Sequence, residues 1–178
     1  MFQWVLCYPF IMKNELSKRK ANRLKDFDYS TNGAYFVTIC TKDRKCILSD
    51  IVGEGLCALP QNKLTPIGIE VEESIKYINN KYNNVLIDKY IIMPNHIHLI
   101  VVLNSGMGGR GNPPLQNIIG QFKSFTTRQY GEQLWQRSYH DHIIRDENDY
   151  LNIWEYINSN VLKWPDDKYY NGDEMIES

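Results

Sequence analysis

The sequence predicts an α+β domain, a ferredoxin-like antiparallel sheet in the order βαββαβ with one helix added at its C-terminal end. Three observations predict it. Two β-rich apolar runs, Val85 to Ile92 and His96 to Leu103, flank Met93-Pro94-Asn95, whose proline and asparagine suit a tight turn, so the pair reads as a hairpin. Stretches with apolar residues at helical spacing lie on both sides of that hairpin. A run rich in Tyr, Phe, Val, Thr and Ile early in the chain, Ala34 to Thr41, and a shorter one late in it, Tyr139 to Ile144, supply the first and last strands.

Taken in order, the chain begins with an apolar Met1 to Met12, too short to cross a bilayer and without the layout of a secretory signal. It reads either as a packed segment or as the product of an upstream start codon, with Met12 the natural start. A basic arm follows, in which Lys13, Lys18, Arg19, Lys20, Arg23 and Lys25 stand against Glu15 alone. Gly33 introduces the strand Ala34 to Thr41, and Lys42-Asp43-Arg44 is a polar turn. Cys46-Ile47-Leu48 reads as a short hairpin partner, and Ser49 to Lys63 as a loop or an irregular extra strand. Thr65-Pro66 has the chemistry of a helix start, continued by Ile67, Val71, Ile75, Ile78 and Tyr82.

Beyond the hairpin, Asn104 to Pro114 is a flexible connection; it lacks the Gly-Lys-Ser/Thr ending of a phosphate-binding loop. Leu115, Ile118, Ile119, Phe122, Phe125 and Thr126 form an amphipathic helix with Lys123 and Arg128 on its polar side. Tyr139 to Ile144 is the last strand. In the final helix, Asn148 to about Leu162, the stripe Tyr150, Ile153, Trp154, Ile157 and Val161 should face the core, with Tyr156 and Asn160 together on its shoulder. From residue 165 the chain carries Asp166, Asp167, Asp173, Glu174 and Glu177, an acidic tail.

At 178 residues, this is one domain with enough length for a core. Basic arm and acidic tail offset each other in a formal net charge of -1 at pH 7, so composition alone does not point to nucleic acid. Cys7, Cys40, Cys46 and Cys57 lack Cys-x-x-Cys spacing and read as reduced thiols of a cytoplasmic protein with no membrane partner.

Alternation places His96 and His98 on one face of their strand and Ile97, Leu99 and Val101 on the other. Alone, His-x-His in an apolar strand is common by chance. Two imidazoles with an amide oxygen can nevertheless hold a divalent metal, and a nearby tyrosine is then a candidate nucleophile. His140 and His142 form a second such pair and admit a four-histidine zinc site, although Asp141, Arg145 and Asp146 surround them with charge. Tyr130 and Tyr150 are rival tyrosines better explained by packing, and Trp135 is a core residue or a stacking platform.

Five segments now stand in a recognisable order: Tyr90 to Val101 with Met-Pro-Asn-His-Ile-His-Leu-Ile, Ile118 to Ser124, Trp135 to Tyr139, His142 to Arg145, and Glu155 to Asn160. Together with Tyr29-Ser30, Gly33 to Thr41 and Arg44 to Cys46, they resemble the REP-associated tyrosine transposases, single-tyrosine members of the His-hydrophobic-His endonucleases. The resemblance runs from about Arg23 to Trp164. It implies metal-dependent nicking and rejoining of single-stranded or hairpin DNA, with Tyr156 as the nucleophile that leaves a 5'-phosphotyrosine. It also implies His96, His98 and Asn160 as ligands of Mg2+ or Mn2+, although imidazole by itself better suits zinc, nickel, copper or iron.

The resemblance divides the chain into an extension (1-25), a catalytic domain (26-164) and the tail (165-178), acting as a monomer or a homodimer. Candidate DNA contacts are Arg19, Lys20, Arg23, Arg44, Lys45, Lys123, Arg128, Arg137, His142 and Arg145. Where relatives have Asn-Pro after the tyrosine motif, Val161 follows Asn160, so the final helix is expected to run on. A non-catalytic nucleic-acid-binding module is the alternative reading.

Overall fold

The computed structural model of the chain describes residues 27–53, 59–105 and 112–170. The apolar opening, the basic arm with Arg19, Lys20 and Arg23, Cys7, Cys57, most of the glycine-rich connection and the acidic residues beyond 170 lie outside the described residues. Within them the elements are β1 (Gly33–Cys40), β2 (Ser49–Val52), β3 (Gln61–Leu64), α1 (Pro66–Lys81), β4 (Val85–Met93), β5 (His96–Leu103), α2 (Leu115–Tyr130), β6 (His140–Ile144) and α3 (Glu147–Ser159). Strands β4, β5, β1 and β6 lie in that order in one sheet, every neighbour antiparallel. With α1 and α2 as crossovers, this is the ferredoxin-like arrangement; β2 and β3 pair apart from it.

The helix starts follow from local chemistry. Thr65 caps α1 by accepting a hydrogen bond from the Gly68 N–H at 3.1 Å, with Pro66 in the first turn. Asp146 caps α3 through the Asp149 N–H at 2.9 Å, and Glu147 and Asp149 put negative charge at the positive end of the helix dipole. Gly131, at φ 85°, adopts the left-handed conformation that stops α2.

Packing uses one face of the sheet. Val37 and Ile39 of β1 and Ile97, Leu99 and Val101 of β5 are wholly buried in a core shared with Val71 and Ile75 of α1 and Leu115, Ile118 and Phe122 of α2. The register Thr38↔His98 and Cys40↔His96 sends both imidazoles to the opposite face. A slip of one residue would exchange the faces, burying imidazoles in the helix layer, so the apolar set holds the site in place.

Four expectations need correction. Cys46 to Leu48 is not a strand; the Ile47 and Leu48 N–H groups both donate to the Pro94 carbonyl at 3.0 Å, and the hairpin forms later, between β2 and β3. Helix α3 does not run on through Val161 but ends at Ser159, with Asn160 as its C-cap, and the chain turns through 160–163 without a proline to stop it. The apolar stripe of α3 is only partly core: Ile157 is buried, but Trp154 is exposed beneath the Lys89 ammonium, 4.3 Å from its ring centroid. Tyr150, expected to be buried by packing, instead hydrogen-bonds Asp88 at the bulge of β4. Trp135 is core, its indole N–H donating to Thr126 Oγ1 at 2.7 Å.

Candidate metal centre and tyrosine site

β5 is an interior strand, and the C-terminal segment closes over its open face. His96 and His98 have no exposed surface. Their Nε2 atoms stand 3.0 Å apart, converging on one point. Each outer nitrogen is held: His98 Nδ1 lies 2.9 Å from Thr38 Oγ1, and His96 Nδ1 lies 2.9 Å from Asn95 Oδ1. The Asn95 amide donates through Nδ2 to the Tyr169 carbonyl at 2.8 Å, which leaves Oδ1 as the acceptor. His96 therefore carries its proton on Nδ1 and turns the Nε2 lone pair inward, the tautomer a metal needs.

Electrostatics agree with that assignment. Burial pushes His96 down to about 4, with Asp167 opposing and Lys168 and Arg44 adding to the effect; burial, then His96 and Lys168, holds His98 well below the ordinary imidazole range. Both rings are neutral at physiological pH.

From α3, the Tyr156 hydroxyl reaches to 3.3 Å from His98 Nε2, and its ring meets those of His98 and Phe36 edge-on. Burial first, then the Asp167 charge, pushes this phenol up to about 12, while the Asn160 amide pulls it down. Asn160 is buried; its Nδ2 donates to Asp167 Oδ2 at 3.3 Å, and its Oδ1 has no hydrogen-bond partner among the described residues. An orphaned buried carbonyl costs about 1–3 kcal/mol, so this oxygen lacks a partner that a cation would supply. The donors present thus fit a divalent metal.

Asp167 falls in the acidic stretch that the sequence presents as a tail, yet one of its oxygens lies within 4.8 Å of a ring nitrogen of each histidine. Trp164 and Tyr169 pack on the His96 ring, with centroids 6.0 and 4.6 Å away. The signal was available in the sequence: Trp164-Pro165 and Tyr169-Tyr170 bracket the acidic pair, and bulky aromatics do not suit a solvated tail. Thr38 and Asn95 also went unnoticed, because a residue that orients a ligand has no spacing rule of its own.

Of the proposed DNA contacts, Arg44 and His142 line a cleft of about 520 Å³, together with Phe36, Thr38, His140, Asp141, Lys168 and Tyr169; the Phe36 ring also meets that of Tyr156. Lys45, Arg137 and Arg145 are exposed. Lys123 is half-buried and donates to the carbonyls of Gln136 and Arg137 at 2.5 and 3.1 Å, which ties α2 to the loop after it. Arg128 lines a separate groove between α1 and α2. His140 and His142 do not join the inner pair; His142 Nε2 instead meets Asp149 Oδ2 at 2.8 Å. No helix among the described residues is long and apolar enough to cross a membrane.

No protein-family model matches the chain. It is 35% identical over 173 residues to an uncharacterised protein of Haemophilus influenzae, covering 85% of this chain and 93% of that protein. A second Haemophilus influenzae protein, provisionally named a REP-associated tyrosine transposase, is 26% identical over 147 residues, covering 76% of this chain and 74% of its own length. Among solved structures, a REP-associated tyrosine transposase bound to a REP hairpin superposes with a TM-score of 0.60 at 19% identity, covering 80% of this chain and 73% of that one.

Proposed function

We propose that the chain is a REP-associated tyrosine transposase, in keeping with its likeness to a relative given that name and to the fold of a solved member, and that it nicks and rejoins single-stranded DNA beside a hairpin through a covalent tyrosine intermediate. The observation that carries this reading is the reach of Tyr156 to the paired imidazoles of its own chain, 3.3 Å from His98 Nε2. That reach also favours a nucleophile acting in cis, with one chain sufficient for cleavage.

In the proposed step, Tyr156 Oη attacks the scissile phosphorus as the phenol proton is lost to solvent. The new Oη–P bond replaces the bond from phosphorus to the 3' oxygen, which leaves and takes up a proton, so the products are a 5'-phosphotyrosine and a free 3'-hydroxyl. Rejoining is the reverse, with a 3'-hydroxyl attacking the phosphotyrosine. His96, His98 and Asn160 would hold Mg2+ or Mn2+, which supplies Lewis-acid stabilisation and a template for in-line geometry. A phenol near 12 needs such help, being almost wholly protonated at neutral pH.

Arg44 and Lys168 beside the cleft suit the phosphate backbone, and Phe36 offers a ring on which an unpaired base can stack. The test is incubation with labelled hairpin DNA and Mn2+ or Mg2+, followed by a denaturing gel. The wild type should give a covalent adduct and Tyr156→Phe none. An adduct that survives Tyr156→Phe assigns the nucleophile elsewhere; DNA binding without an adduct on any hairpin favours the non-catalytic module.

A further inference from the structure

Two neutral imidazoles and an amide oxygen carry no charge, and such a set is poorly matched to Mg2+ or Mn2+, which favour carboxylate oxygens. We infer that Asp167 is the anionic ligand of the cation, and that docking of the segment 164–170 and cation binding are one coupled equilibrium. The inference rests on the metal-assisted reading above and names the residue that makes the site suit a hard ion.

The carboxylate is oriented for this role. Asp167 Oδ1 accepts the Tyr169 N–H at 2.7 Å, a local turn that tethers one oxygen and turns the other toward Asn160 and Tyr156. Oδ2 accepts from Asn160 Nδ2 at 3.3 Å and from the Tyr156 hydroxyl at 3.4 Å. The three ligating atoms of His96, His98 and Asp167 lie within 4.8 Å of one another. Opposite ligands of a single Mg2+ stand about 4.2 Å apart, so closure on an ion needs a movement of only several tenths of an ångström.

The coupling follows from how the segment is held. Its Tyr169 carbonyl orients Asn95, and through Asn95 the tautomer of His96. Arg44 Nη1 donates to the Lys168 carbonyl at 3.4 Å and its guanidinium lies 5.4 Å from the Tyr169 ring centroid, so the segment also spans to the turn after β1. The segment thus brings in one ligand and orients another. Whatever loosens it weakens the cation, and the cation in turn must stabilise it.

The experiment is Mn2+ titration of the full chain by calorimetry, without DNA, with His98→Ala as the control for the metal reading itself. Asp167→Asn should weaken Mn2+ binding by about 10-fold or more, the scale expected when a ligand or its immediate support is lost. Asp167→Cys, which offers a thiolate in place of the carboxylate, should shift selectivity from Mn2+ toward Cd2+, a change that a merely structural aspartate would not produce. Hydrogen exchange should show Mn2+ slowing the amides of 164–170 in wild type and not in Asp167→Asn. Binding by Asp167→Asn within about twofold of wild type, while His98→Ala loses it, overturns the assignment. If His98→Ala also binds normally, the metal reading falls as a whole. If Mn2+ binds through Asp167 and no DNA adduct ever forms, strand transfer falls and the ligand assignment stands.

Discussion

The molecule contains the same motif twice, on the same face of the same sheet, with opposite outcomes. His96-Ile97-His98 lies on β5, flanked by β4 and β1 and covered by α3 and the 164–170 segment; both rings are fully buried and converge through their Nε2 atoms. His140-Asp141-His142 lies on β6, paired only with β1, and both rings are exposed. The inner rings have Thr38 and Asn95 to hold their outer nitrogens, whereas His142 spends its Nε2 on the half-exposed Asp149. A spacing of two residues therefore brings ring nitrogens together only where the sheet position buries the rings and neighbours orient them.

Four tests would break or sharpen that contrast. The largest effect is expected from deleting one ring of each pair: His98→Ala should reduce Mn2+ binding and adduct formation by more than about 100-fold, exceeding the loss usual for a supporting residue, while His140→Ala keeps Mn2+ affinity near wild type. Equal losses from the two variants would mean that the outer pair is also a ligand set, as the four-histidine alternative supposed.

Next come the apolar faces beneath the two pairs. Leu99 is fully buried and Ile143 only partly, so Leu99→Ala should cost about 3 kcal/mol in denaturant unfolding and Ile143→Ala roughly half of that. A smaller gap would show that the edge strand is anchored as firmly as the central one. Thr38→Val keeps the shape but removes the partner of His98 Nδ1, and it should weaken Mn2+ binding by about 10-fold with the fold intact. The smallest change is His142→Ala, which removes an exposed contact with Asp149; thermal unfolding should shift by less than about 1 kcal/mol.

How much of this was legible in the sequence varied with how local the cause was. The hairpin of β4 and β5, the Pro94-Asn95 turn and the cap of α1 follow from neighbours in the chain, and the structure has them at or near the expected bounds. Alternation by itself separated His96 and His98 from the core-facing Ile97 and Leu99. Less legible was α3, where a helical wheel identifies an apolar side but not what covers it; Trp154 turned out to lie under a lysine and not in the core. Lys123, polar by position, is spent on two carbonyls of its own chain.

By itself, then, the sequence carried the family resemblance, the order of elements and the candidate residues, because composition, periodicity and ordered motifs are properties of short stretches. Only the tertiary structure decided which histidine pair is buried and convergent, that Tyr156 reaches it within one chain, and that Asp167 lies beside it. Those facts depend on segments far apart in sequence meeting across the sheet: Thr38 with His98, Asn95 with Tyr169, and Tyr156 with both His98 and Asp167. Such meetings are set by which faces must be buried, and the long-range packing that buries them has no signature in any one stretch of chain.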